Sequence, residues 1–432
     1  MQTENLQLPL DLPSPALNPA AGVSMREQLG AFHQFGKPTI QLAAKIALAG
    51  GGVFDALVFV NEFWTAKQRA ANNLHEISYR ACFKPQLPRF FIERLTAPGE
   101  VVYDPFMGRG TTLLEAALLG RVPCGCDVNP LSRVLIAPRL RPPGLEEVRA
   151  RLARIDFKDA DEFPQDLLVF YHPETLREIA ALKKYLLSRQ LDAVDQWICL
   201  VALNRLTGHS PGFFSVYTLP PNQAVSIKSQ RKINADRQQT PPRRHVPELI
   251  LKKSRFLLGD CDASVRGALR SVADGTLLLN EPARATPQIA SDSVSLVVTS
   301  PPFLDVVDYA GDNWLRCWFL GLDAKSVRLT VPKELEQWQA EMTAVFAELR
   351  RVLRPGGHVA FEVGEVRGGA VKLEETVVRC GLDAGLVPLL IVINDQKFTK
   401  TANCWGVDNN SKGTNTNRIV LFQKAPSPAS AP

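Results

Sequence analysis

The chain has 432 residues, of which 45% are hydrophobic and 22% charged. That is room for one large or two ordinary domains with the composition of a soluble globular protein, which excludes a disordered or fibrous chain. A net charge of +6 and a pI near 8.9 permit a polyanionic partner without demanding one.

Residues 1–24 are rich in Pro, Ala and Asn and read as a flexible N-terminal arm. They lack the basic cap of a secretory signal, so the expectation is a cytoplasmic protein. From Met25 to Arg69 the pattern is apolar and partly helical. Its longest apolar run, Ile46 to Val60, is broken by Gly50-Gly51-Gly52 and Asp55, too short and too polar to span a bilayer. From His75 the chain reads HEISYRACFKPQLPRFFIERL, in which Pro85 and Pro88 start a helix and Arg89 to Leu95 supply its apolar face.

The most informative stretch runs from Val101 to Asn129. A β-favouring run ends at Tyr103, the chain turns through Asp104-Pro105-Phe106 and the glycines Gly108 and Gly110, and a helix-periodic segment follows from Thr111 to Leu119. Glycines let the backbone approach a ligand, and the new helix offers unpaired N–H groups to that space. A second strand-like run, Val122 to Cys126, ends on Asp127, placed to accept hydrogen bonds from a ribose diol. By itself G-x-G is what any α/β turn contains, and the third glycine of a dinucleotide fingerprint is replaced by Thr111-Thr112-Leu113. Asp104 at the mouth of the turn repels phosphate and attracts an ammonium group. S-adenosylmethionine fits this pattern, with its ammonium for Asp104 and its ribose for Asp127. Tyr79 to Lys84, just upstream, reads either as a helix lead-in packed on the sheet or as a wrap around the methionine end of that cofactor. The eight cysteines are scattered; Cys124-Gly-Cys126 falls in the second strand and suits packing in a reducing compartment.

After Asn129-Pro130 the strand–helix alternation stops for more than a hundred residues. Leu145 to Ile155, Glu174 to Arg189 and Asp192 to Leu206 have helical spacing, so residues 133–255 read as an inserted, mainly helical region between a cofactor-binding half (25–132) and a second half (256–424). The insertion carries Phe213, Phe214 and Tyr217, then Lys228, Arg231, Lys232, Arg243 and Arg244. A basic run is commonly a solvated face. Beside aromatics, and in an insertion, it points to nucleic-acid contact through phosphate pairing and base stacking.

Order resumes with Phe256-Leu257-Leu258-Gly259-Asp260, read as a third strand whose terminal Asp260 either bonds an adenine amine or caps the next helix. A buried strand, Val294 to Val298, then runs into Thr299-Ser300-Pro301-Pro302-Phe303. Paired prolines fix φ and hold the turn open, which offers rigid carbonyl acceptors, one hydroxyl and one aromatic face. Trp338 to Leu353 reads as an amphipathic helix, and His358 to Val363, Leu386 to Ile393 and Asn417 to Gln423 as closing strands. The polar loop Lys397 to Thr416 reads as a turn or a second surface toward the polyanion, and residues 425–432 as a disordered tail.

The pair DPFMGRGTT (Asp104 to Thr112) and TSPPF (Thr299 to Phe303) resembles the amino-group DNA methyltransferases, and the serine in TSPPF is similar to their N4-cytosine branch. The resemblance covers roughly Asn72 to Lys424. It implies a Rossmann-like class I methyltransferase fold, a seven-stranded, mostly parallel sheet whose first and fourth strands are adjacent. It implies S-adenosylmethionine as cofactor, held by Tyr79, Phe83, Lys84, Asp104, Pro105, Phe106, Gly108, Gly110, Thr111, Asp127, Asn129 and Asp260. The partner it implies is double-stranded DNA, in a restriction-modification or epigenetic role in which a cognate restriction endonuclease would be the companion; no metal and no membrane is called for. An exocyclic amine is a poor nucleophile, so its N–H bonds need acceptors that bend it toward tetrahedral geometry. The Ser300 hydroxyl and Pro301 carbonyl suit that role, with Pro302 fixing the turn and Phe303 stacking on a flipped base. A carbon-5 mechanism needs a cysteine after a strand-end proline, and Pro123-Cys124 lies in the wrong strand. The cofactor motif here precedes TSPPF, the reverse of many serine-type enzymes. Adenine-N6 methylation, RNA amino-methylation and a non-catalytic nucleic-acid-binding protein therefore stand as alternatives.

Overall fold

A computed structural model of the chain describes residues 24–48, 50–64, 71–79, 82–160, 162–218, 224–303, 309–324, 332, 334–366, 371–395 and 416–426. The expected arm (1–23), most of the polar loop (397–415), most of the tail (427–432) and, within the Tyr79 segment, Arg80 and Ala81 lie outside the described residues.

Ser24 caps a short helix α1 (Met25–Gly30), and the chain then makes a hairpin of β1 (Ile40–Ala47) and β2 (Val53–Asn61). The region is helical only in α1, and its apolar run is the hairpin: Gly50 and Gly51 take positive φ, which suits a tight reversal between strands. Helix α2 (Gln86–Leu95) follows, with Pro85 and Pro88 at its start as expected. The α/β unit then runs through β3 (Val101–Asp104), α3 (Thr111–Leu118), β4 (Val122–Cys126) and α4 (Pro130–Leu140). Next come the helices α5 (Leu145–Arg154), α6 (Pro173–Leu187), α7 (Ala193–Leu203), α8 (Ile227–Asp236), α9 (Val246–Leu257) and α10 (Ala263–Val272). The sheet resumes with β5 (Leu277–Leu279) and β6 (Val294–Thr299), followed by α11 (Tyr309–Leu320), α12 (Leu335–Val352) and β7 (Leu353–Val363). A two-residue ribbon, β8 (Glu365–Val366) with β9 (Val371–Lys372), leads to α13 (Leu373–Asp383), β10 (Val387–Asp395) and β11 (Thr416–Gln423).

Among the described residues the main sheet has nine strands, in the order β1-β2-β10-β11-β7-β6-β3-β4-β5. β11 and β1 run against their neighbours, and every other pairing is parallel. This is a doubly wound, Rossmann-like α/β sheet. The first and fourth strands of the alternating unit, β3 and β6, are neighbours as expected, so a switch point lies between their carboxyl ends. Two strands more than the expected seven are present because the β1–β2 hairpin adds to the free edge of β10.

Strand β6 is buried along its whole length, the pattern of a strand covered on both faces. Tyr103 and Val297 pack with α12 and α13 on one face, whereas Val102, Leu296 and Val298 pack with α2 on the other. The inserted helices do not form a core of their own. Leu113 and Leu114 of α3, Leu135 and Ile136 of α4, Trp197 and Ile198 of α7 and Ile250 of α9 belong to one apolar cluster. Burial pushes the thiols of Cys124 and Cys126 up to about 12, so both behave as packing groups.

The third strand expected at Phe256–Asp260 is a correction. Val246, Ile250 and Leu257 recur at helical spacing and face the core while Phe256 points outward, so the run ends α9. The third strand is Leu277–Leu279.

Candidate functional site at the ends of β3 and β6

Asp104 ends β3 and is buried. Its Oδ1 accepts the Phe106 N–H at 3.1 Å and the Thr299 hydroxyl at 2.6 Å. Thr299 ends β6, so one hydrogen bond joins the glycine turn to the TSPPF turn. Thr112, in the first turn of α3, donates to the Val298 carbonyl at 3.1 Å and ties that helix to β6. Burial raises the Asp104 carboxyl to about 7, against the pull of its hydrogen bonds.

The turn is built by its glycines. Gly110, at φ +76°, precedes α3, and a Cβ there would fall inside the van der Waals envelope of Ile136. Gly108, at φ +45°, donates its N–H to Asp127 Oδ2 at 2.8 Å. The other oxygen of Asp127 takes the Asn129 N–H at 2.8 Å, and each keeps a lone pair for a further donor. Asn129 caps α4 through the Leu131 N–H and reaches the Tyr79 hydroxyl at 3.4 Å. Tyr79 lies against Gly108, so the upstream segment does come over the turn. That segment is clamped by backbone contacts. Arg109 donates to the His75 and Ile77 carbonyls, Arg139 to the Leu74 carbonyl and Arg316 to the Ser78 carbonyl, while Asn204 accepts the Ser78 N–H. His75 Nε2 lies 2.7 Å from Glu115 of α3, both buried.

Of the other residues expected around the cofactor, Pro105 is buried in the turn and Phe106 is half-buried against the α12 side of the core. The Thr111 hydroxyl accepts from Arg109 at 3.2 Å. Phe83 packs into the core on the α2 face, away from the turn, and Lys84 is exposed at the start of α2. Asp260 is exposed beyond α9 and accepts the Asn73 N–H at 2.8 Å, so it does not end a strand. The residue after β5 is Asn280, whose side chain donates to the Asp127 carbonyl at 2.8 Å. Sequence reading missed Asn280; the apolar Leu277-Leu278-Leu279 run before it was the available signal.

On the β6 side Glu362, a buried carboxylate near the end of β7, accepts Asn417 Nδ2 at 2.9 Å, and the nearby Ser300 side chain opposes the effect of burial on it. Burial raises the Glu362 carboxyl above its ordinary range. Neither Glu362 nor Asn417 was expected. A glutamate inside the otherwise apolar His358–Val363 run was the mark to notice. Trp338 of α12 donates its indole N–H to the Pro302 carbonyl at 2.9 Å, while among the described residues the Pro301 carbonyl accepts no hydrogen bond. Phe303 is half-buried against the α12 side of the core.

The basic residues singled out in the insertion divide. Arg243 is paired with Glu174 at 2.7 Å and Glu178 at 2.5 Å, and Arg231 with Asp166 at 2.9 Å. Arg244 is half-buried beside them, and Lys228 and Lys232 are exposed on α8.

Comparison with known proteins gives a family match over part of the chain. Residues 48–133 match the family model N6_N4_Mtase, described as DNA methylase. The Type II methyltransferase M.BsoBI of Geobacillus stearothermophilus is 23% identical over 296 residues, 62% of this chain and 55% of that protein. The Type II methyltransferase M.MvaI of Kocuria varians is 31% identical over 122 residues, 28% of this chain and 24% of that protein. The matched part of the chain thus spans about half the length of M.BsoBI and less of M.MvaI. Among solved structures, a SAM-dependent methyltransferase from Methanosarcina mazei aligns at 11% identity and a TM-score of 0.32, over 78% of this chain and 98% of that one. The stretch that resembles the DNA methylase family, residues 48–133, contains Tyr79, the glycine turn and Asp127, one complete side of the site at the ends of β3 and β6.

Proposed function

We propose that the chain is an S-adenosylmethionine-dependent DNA methyltransferase that methylates the N4 amine of cytosine in a flipped-out base. The observation that carries this reading is the 2.6 Å bond between Thr299 and Asp104, because it sets an ammonium-binding carboxylate beside a set of amine acceptors. The residues present suit the cofactor. Asp104 is a buried carboxylate for an ammonium group, Asp127 has lone pairs for a ribose diol, and Gly108 and Gly110 leave backbone without side chains at the turn. Bound there, S-adenosylmethionine supplies an electrophilic methyl group.

The chain's own groups act on the amine. Ser300 and the Pro301 carbonyl accept its two N–H bonds and turn the lone pair out of the ring plane. In this reading the buried Glu362 accepts the Ser300 O–H as the amine binds and takes the amine proton through it. Trp338 holds Pro302 so that this acceptor set keeps its shape, and Phe303 stacks on the base. What supports cytosine N4 over adenine N6 is Ser300 itself, the serine by which Thr299-Ser300-Pro301-Pro302-Phe303 resembles the N4-cytosine branch.

Incubating the chain with labelled S-adenosylmethionine and duplex DNA, then weighing the digested nucleosides, tests the proposal. The expected product is N4-methylcytosine. N6-methyladenine in its place overturns the choice of base, and label found only in RNA overturns the choice of nucleic acid. No transfer to either, with DNA binding retained, leaves a non-catalytic binding protein.

A further inference from the structure

Two groups of cations in the insertion differ in what they contact. Arg231, Arg243 and Lys184 are engaged with carboxylates of the same chain. Arg205, Arg237 and Lys253 have no carboxylate within 4.0 Å among the described residues, and each lies over an aromatic ring instead. The guanidinium of Arg205 is 4.1 Å from the centre of Phe213, that of Arg237 is 3.8 Å from Tyr217, and the ammonium of Lys253 is 4.5 Å from Phe256.

These three contacts are linked through one loop. Gly208 pairs with Tyr217 as a β-bridge, and its α-carbon lies so close to the Phe213 ring that a Cβ would overlap it. Arg205 begins the loop, and its charge reaches Lys253 on the neighbouring helix α9, which packs on α7 through Trp197 and Ser254 at 3.0 Å. Burial, then the repulsion of Arg205, lowers the Lys253 ammonium to about 8, while Glu76 opposes the shift. Like charges brought together, opposed in part by the exposed Glu76, favour an anion between them. A ring beneath a cation fixes its rotamer, and Arg205 is held further by the Asn204 and Gly212 carbonyls, so little freedom is lost on meeting a phosphate.

We propose that Lys253, Arg205 and Arg237 form a track for the phosphodiester backbone of nucleic acid along the 204–218 loop. This rests on the methyltransferase reading and identifies the residues that hold its substrate. The track meets the site through Glu76, three residues before Tyr79. It also revises the role of Phe213 and Tyr217, whose faces are covered by arginines and support cations rather than bases.

The test is the salt dependence of binding of the full chain to a mixed-sequence duplex, read by fluorescence anisotropy beside a methyl-transfer assay. Arg237→Ala and Lys253→Ala are each expected to flatten the log–log slope by about 0.9, the value for one lost phosphate contact. Arg237→Lys and Lys253→Arg keep the charge and are expected to keep the slope, and thermal melts confirm that all four variants fold. Arg284→Ala, which breaks a remote pair with Glu341, is expected to leave the slope alone. Unchanged slopes in Arg237→Ala and Lys253→Ala, with wild-type chain methylating the duplex, refute the track and leave the methyltransferase reading standing. A wild-type chain that neither binds nor methylates the duplex removes both.

Discussion

The two sides of the switch point solve one problem with different materials. At the end of β3 the geometry is made by backbone: two glycines in positive φ, an N–H held by Asp127, and a preceding segment pinned through its carbonyls. At the end of β6 it is made by side chains. Glu362 is set by Asn417, and the Pro302 carbonyl by Trp338. Backbone construction tolerates no added atoms, whereas side-chain construction tolerates isosteres that keep the hydrogen bonds. Substitutions on the β3 side are therefore expected to appear first as lost folding, and those on the β6 side as lost turnover.

The largest expected effect is on the backbone side. Gly110→Ala forces a Cβ into left-handed backbone and into Ile136, a combined cost of about 3 kcal/mol, visible as a lower midpoint in denaturant unfolding. A midpoint equal to wild type contradicts the difference drawn between the two sides. Next is Ser300→Ala, which removes an acceptor of the amine while filling the same space. A loss of about 100-fold in kcat with little change in cofactor binding or thermal stability is expected on the scale of one lost transition-state hydrogen bond. Glu362→Gln keeps an acceptor for Ser300 but holds no negative charge to take a proton, so a kcat loss of about 10-fold is expected. If Glu362→Gln matches wild type across pH, the carboxylate acts only as a spacer.

Asp104 sharpens the comparison through pH, since it touches both sides. Its carboxyl is raised to about 7 by burial, so it is largely protonated below that pH and charged above it. Ammonium binding requires the charged form, and cofactor KM is therefore expected to fall as pH rises from 6 to 8. Asp104→Asn removes that dependence at a uniformly high KM. For stability the sign is opposite. The folded state binds the proton more tightly than the unfolded one, so the contribution is fully present below about pH 4 and lost as pH rises through about 7. Thermal melts of wild type against Asp104→Asn over that range check it. The smallest expected change is Trp338→Phe, which frees the Pro302 carbonyl for about 1 kcal/mol and a few-fold in kcat.

Much of the β3 side was legible from local pattern. A β run, a turn with Gly108 and Gly110, a helical run and a strand-end Asp127 are consecutive in the chain, and their chemistry is set within about 25 residues. The β6 side was legible only as a turn. Glu362 and Asn417 come to the β6 side because β7 pairs with β6 and β11 with β7, and no short-range rule joins positions so far apart. Asp260 failed for the complementary reason: Phe-Leu-Leu is as apolar as a strand, and only the helical face formed with Val246 and Ile250 decides it. The same holds for the β1–β2 hairpin, whose apolar residues suit helix or strand until β10 offers an edge.

What the sequence determined by itself was chemistry confined to contiguous residues: two strand-to-turn motifs, their order, the mainly helical insertion and the places where glycine or proline sets φ. Tertiary structure alone decided which of these groups meet. Thr299 reaches Asp104, Asn417 reaches Glu362, and Arg243 is neutralised by Glu174 and Glu178 while Arg205 lies over Phe213 and Lys253 over Phe256. The reason is physical. Periodicity and turn propensity act over a few residues, but charge neutralisation and hydrogen-bond pairing depend on distances in space, and those are fixed only when the sheet order brings remote strands side by side.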